Sequence, residues 1–145
     1  MKDKYIVYFI SKTKKKMQKF IEKQLDLNGI DDLVPSYGNI LTALYEHEGK
    51  LKMTEISQLV NKDKSTVTVL VNRLIERKYI RKEYCKEDRR VVYIVLTDKG
   101  IAFEPVYHKI SKSINTAAYR GFTEEEKETL LRLLKKLNNN FNERE

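Results

Sequence analysis

The chain has 145 residues, enough for one compact domain or one domain with helical extensions. Its formal net charge is +8 with 34% of residues charged, which favours polyanionic partners and is silent on fold. A hydrophobic share of 41% supplies a core, the single cysteine excludes an intramolecular disulfide framework, and no apolar run approaches the ~20 residues that span a membrane. The apolar run Tyr5 to Ile10 is short and lacks a small-residue cleavage site, so a cytoplasmic, reducing location is expected.

From Lys4 to Leu27, Ile6, Ile10, Met17, Phe20, Ile21 and Leu25 recur at helical steps and predict one amphipathic helix, ended by Asn28-Gly29. Lys12, Lys14, Lys15, Lys16 and Lys19 on that helix read as solvated surface. Pro35 opens a second helix whose buried face is Tyr37, Ile40, Leu41, Leu44 and Tyr45, stopping near Glu48-Gly49. Leu51-Lys52-Met53 reads as a short extended piece, and Thr54 as the cap of a brief third helix buried through Ile56, Leu59 and Val60.

Asn61-Lys62-Asp63 is the expected turn into a fourth helix, from Lys64 or Ser65 to near Lys78, with Val67, Leu70, Val71 and Leu74 inward. Tyr79 to Cys85 and Val91 to Leu96 predict two strands joined by a charged turn, Lys86-Glu87-Asp88-Arg89-Arg90. Thr97 caps a fifth helix that runs past Pro105, where a kink is expected. After a break at Gly121, the capping box Thr123-Glu124-Glu125-Glu126 starts a last helix carrying Leu130, Leu134, Leu137 and Phe141.

Two short helices around a tight turn, followed by a hairpin, make a winged helix-turn-helix: a mainly α fold with a small β wing. The stretch from Lys62 to Arg90 holds ten basic and five acidic residues. Early residues of the second helix in such a pair face base edges. Ser65, Thr66 and Thr68 have hydroxyls for bases or phosphates, Asn72 lies on the same polar side, and Lys62, Lys64 and Arg73 bring phosphate charge. Lys86, Arg89 and Arg90 at the hairpin tip suit a minor groove, where narrow A·T-rich segments concentrate negative potential. Capping by Ser65 and Thr66, with solvated arginines, is the plainer alternative for any one of these residues.

The same residues resemble the MarR family of bacterial transcription regulators over nearly the whole chain, most closely from Leu51 to Gly100. Asp88, Arg90, Leu96 and Thr97 stand at the family's wing spacing, Thr97-Asp98-Lys99-Gly100 matches the family's segment just after the wing, and Asp63 to Thr68 matches the start of its recognition helix. The resemblance implies a homodimer held by the first, fifth and sixth helices, so that 1–34 and 101–145 are dimerisation segments and 35–100 is the DNA-binding lobe. It implies a repressor on a pseudo-palindromic operator of double-stranded DNA, with Arg90 entering the minor groove and Asp88 orienting it. It further implies relief by a small anionic aromatic or phenolic ligand, for which the sequence designates no residues. Three positions depart from the family pattern: Val69 for a frequent arginine, Lys78 for a glycine after the recognition helix, and Val34 for a capping threonine.

No enzyme, metal site or cofactor is expected. His47 and His108 stand apart, Glu46-His47-Glu48 is too short for a metal site, and there is no glycine-rich phosphate loop. Cys85 sits among Arg81, Lys82, Lys86 and Arg90, cations that lower a thiol pKa, but the first helix has no sensing cysteine and a structural Cys85 is expected. A nonspecific architectural DNA binder and a winged-helix protein adaptor remain open as alternatives at this point.

Overall fold

A computed structural model describes residues 3–60 and 62–142; Asn61, placed in the expected turn, lies outside them. After a 3-10 turn at Asp3–Tyr5, α1 spans Ile6–Leu27 and ends at Asn28, with Gly29 left-handed at φ 73°. A second 3-10 turn at Pro35–Tyr37 leads into α2 (Gly38–Glu46), and β1 (Lys50–Lys52), α3 (Met53–Leu59) and α4 (Lys64–Glu76) come next. The hairpin strands are β2 (Ile80–Tyr84) and β3 (Val92–Leu96), and the chain closes with α5 (Asp98–Ala118) and α6 (Glu124–Asn139). It divides into two compact units, Met1–Ile110 and Ser111–Glu145, with α5 running from one into the other and helical through Pro105.

In the first unit the core gathers Ile40 and Leu44 of α2, Ile56 of α3, Val67, Val71 and Leu74 of α4, and Ile80 and Ile94 of the sheet, all fully buried. Burying a side chain of this size contributes roughly 1.5–3 kcal/mol, so α4 is fixed to its lobe by three such residues on one stripe. Tyr45, Val60 and Leu70 are partly buried against the same core. The sheet has the order β1-β3-β2, with Leu51 opposite Ile94 and Ile80 opposite Leu96. The Leu51 segment is extended as expected, and it has a partner that its sequence does not announce: β1 is the third strand of the wing.

Three expectations need correction. Thr54 does not cap α3: Lys52 is the N-cap, extended at ψ 146°, and Glu55 Oε1 accepts its N–H at 2.9 Å, which starts the helix one residue before Thr54. Leu59 is 51% exposed, because the buried stripe of this short helix runs through Met53, Ile56 and Val60 and leaves Leu59 to one side. Phe141 lies beyond α6, which stops at Asn139 within a run of three asparagines, a residue type whose side chain tends to compete with the helical backbone.

In the second unit the capping box is made on both sides: Thr123 N–H donates to Glu126 Oε1 at 2.9 Å and Glu126 N–H to Thr123 Oγ1 at 3.1 Å. Gly121, at φ 81°, makes the preceding break.

Candidate nucleic-acid interface

Helix α4 begins at a carboxylate. Asp63 Oδ1 accepts the Thr66 N–H at 2.7 Å and the Ser65 hydroxyl at 2.9 Å. The Thr66 backbone bond, joined by the Thr66 and Ser65 side chains, holds the Asp63 carboxyl below its ordinary range. Asp63 is therefore the helix cap, and Ser65 and Thr66 lie inside the first turn. Thr68 donates its hydroxyl to the Lys64 carbonyl at 2.8 Å, so its donor is spent locally while its oxygen keeps acceptor capacity. Lys62, Lys64, Ser65, Thr66, Thr68, Asn72 and Arg73 are all exposed, as is Val69. The inward stripe leaves them to solvent as one polar side of the helix.

The wing turn, residues 86–90, is built around Asp88. Arg90 Nε donates to Asp88 Oδ1 at 3.1 Å, its terminal Nη2 donates to Oδ2 at 3.1 Å, and the Arg90 N–H donates to Oδ1 at 3.0 Å. The Arg90 side-chain bonds, then its backbone bond, hold the Asp88 carboxyl below its usual range. The Arg90 side chain is nonetheless 91% exposed. An ion pair this wet adds little to stability; what it supplies is direction, since a forked pair fixes the guanidinium plane. Lys86 and Arg89 are exposed beside it.

A set of contacts whose long-range partners have no local sequence signal ties the end of α4 to the start of α5. Lys78 takes the left-handed conformation at φ 66°, where the resemblance implies a glycine, and its carbonyl accepts the Thr97 hydroxyl at 2.5 Å. That hydroxyl oxygen also accepts the Gly100 N–H at 3.2 Å, so Thr97 caps α5 as expected. Lys99 Nζ donates to Asp32 Oδ2 at 2.6 Å and to the Arg77 carbonyl at 2.8 Å, and Tyr79 donates its hydroxyl to Asp32 Oδ1 at 2.7 Å. Burial would raise the Asp32 carboxyl, but the Lys99 and Tyr79 hydrogen bonds with the Lys99 charge outweigh it and hold it low. Burial, then the bond to Asp32, pushes the Tyr79 hydroxyl up. Gly100 has a steric reason: a Cβ there would overlap the Tyr79 carbonyl.

Elsewhere, His47 bonds the Ala43 carbonyl at 2.8 Å and His108 lies 3.7 Å from Glu104 across one helical turn. Cys85 comes just after β2, partly buried, with its N–H donated to the Val91 carbonyl at 3.1 Å. Among the described residues no cluster of His, Cys, Asp and Glu is suited to a metal, and no helix is long and apolar enough to cross a membrane.

A capped, polar-faced helix following a short helix, with a three-stranded wing ending in a directed arginine, defines a winged helix-turn-helix DNA-binding protein. The sequence model of the MarR family matches residues 31–91. The HTH-type transcriptional repressor MdtR of Bacillus subtilis is 32% identical over 110 residues, which is 75% of this chain and 69% of that one. The structure of the S. aureus MepR–DNA complex superposes with a TM-score of 0.82 at 22% identity, covering 97% of this chain and 100% of that one. BpsR of Bordetella bronchiseptica, whose DNA binding is regulated by 6-hydroxynicotinic acid, superposes at 0.75 with 20% identity, covering 92% and 98%. The two superpositions show the shared fold. The chain belongs to the MarR family and is a DNA-binding transcriptional regulator, not an enzyme.

Proposed function

We propose that the protein is a homodimeric repressor that binds a pseudo-palindromic operator through two α4 helices and two wings. The observation that carries this reading is the Asp88–Arg90 fork, a guanidinium held in a fixed plane yet almost wholly in water. An arginine so placed matches the narrow minor groove beside a major groove filled by α4. Lys62, Lys64, Arg73, Lys86 and Arg89 then supply phosphate charge, Ser65, Thr66, Thr68 and Asn72 face the major groove, and Asp88 orients Arg90. Val69, exposed mid-helix, offers a thymine methyl an apolar contact where an arginine would seek a guanine.

Dimerisation accounts for apolar surface that a single chain leaves in water: Ile6, Val7, Phe9, Ile10 and Met17 on α1, and Leu130, Leu131, Leu133 and Leu134 on α6. The likeness to MdtR supports repression, and the likeness to BpsR supports relief by a small anionic aromatic ligand that favours a dimer geometry unfit for DNA. A regulator of this kind works in the cytoplasm. The test compares wild type with Arg90→Ala on duplex recovered by the wild type from a random pool. We expect two chains per duplex and at least a tenfold weaker Arg90→Ala complex. Equal affinity of the two proteins overturns the assignment of the wing.

A further inference from the structure

The wing carries a second feature beside Arg90. In β2 alternate residues share a face, so Lys82 and Tyr84 lie on the same side of the strand as buried Ile80. Tyr84 pairs across the hairpin with Val92, past the edge of the core, which ends at Ile80 and Ile94, and is 59% exposed. Glu83 is turned to the opposite face, where it meets Arg81 and Lys50 at 3.5 and 3.6 Å. Tyr84, Cys85, Lys86 and Arg89 line an open hollow of about 510 Å³, with no carboxylate among them.

The chemistry of that lining is one neutral O–H donor, a thiol that donates only weakly and two cations, around a space far larger than the ~30 Å³ of a water. It suits an oxygen-rich anion. We propose that this hollow seats one backbone phosphate of the duplex, with Tyr84 donating its hydroxyl to a phosphate oxygen and Lys86 and Arg89 supplying charge. This seat rests on the DNA-binding reading and adds Tyr84 to it. An arginine in a minor groove lies between two phosphate strands, and the hollow, a few residues along the same hairpin, meets the nearer one. The tyrosine contact positions the protein without reading sequence.

The experiment measures binding of wild type, Tyr84→Phe, Arg89→Gln and the double variant to the recovered duplex and to a scrambled one, across a salt series. Tyr84→Phe keeps the ring and the melting temperature, so a change reports the hydroxyl. We expect it to weaken both duplexes by about tenfold at every salt concentration with an unchanged slope, because a neutral donor releases no counterion. Arg89→Gln should reduce the slope by about one. The double variant should lose less than the product of the single losses, because both groups hold one phosphate. Wild-type affinity in Tyr84→Phe, or multiplicative losses, overturns the seat while leaving the regulator reading intact. A Tyr84→Phe defect seen only in inorganic phosphate buffer at matched ionic strength also overturns it, assigning the hollow to the free anion. Failure of the wild type to bind either duplex overturns both readings.

Discussion

At Arg90, stability and function separate cleanly: its three bonds to Asp88 set a direction while its side chain remains in water. Replacing Asp88 with Ala should leave the melting temperature nearly unchanged, since so exposed a pair contributes little to stability. Nonspecific DNA affinity should rise as a carboxylate leaves a basic surface, while the ratio of operator to nonspecific affinity falls. Binding titrations on the two duplexes check this; an unchanged ratio would deny Asp88 its orienting role. Lys78 offers the opposite case, a residue strained for geometry: left-handed backbone costs a non-glycine residue about 1 kcal/mol. Lys78→Gly should therefore raise thermal stability by a fraction of that, because glycine also loses more entropy on folding. Gly100→Ala should do the reverse and cost about 1–3 kcal/mol, as its Cβ meets the Tyr79 carbonyl. Thermal unfolding of both variants reads the signs.

At the scale of elements, α4 is held at both ends by different chemistry: the Asp63 carboxylate at its start, and the Lys99–Asp32–Tyr79 contacts with the Thr97 bridge at its end. The second set titrates. Asp32 is depressed from an ordinary value of 3.8, so its contribution is complete above that value and is lost as pH falls through the lower folded value. The wild type should lose stability on acidification below about pH 4, and Asp32→Asn, already without the ion pair, should show a shallower decline. Acid titration of the two proteins tests the difference. Helices α1, α2, α4 and the hairpin were legible because each carries its own signal: a helical stripe, Pro35 at an entry, a period-two run. Asp32 and Lys99 were not legible as partners, since 67 residues separate them and neither has a local pattern. Nor was the pairing of β1, three residues long, with β3. Thr54 misled because threonine is a good cap by type, whereas the strand before it fixed Lys52 at that position.

For the whole molecule, charge and apolar surface point to two partners. The candidate DNA face was legible as a cluster of cations in sequence, and the structure adds how Asp63 and Asp88 arrange it and sets Tyr84 beside Lys86 and Arg89. The apolar residues of α1 and α6 suit a second copy of the chain. Leu134→Glu on α6 should shift the protein toward monomer and weaken operator binding in parallel, measured by sedimentation and titration; a monomeric wild type of full affinity would refute the dimer. The proposed regulator recognises its sequence with two α4 helices at once. Its most direct test is selection of bound sequences from a random duplex pool at near-physiological salt. Two recognition helices predict an enriched inverted repeat with half-sites about one helical turn apart. Binding without enrichment, or enrichment of a single unrepeated half-site, would contradict it.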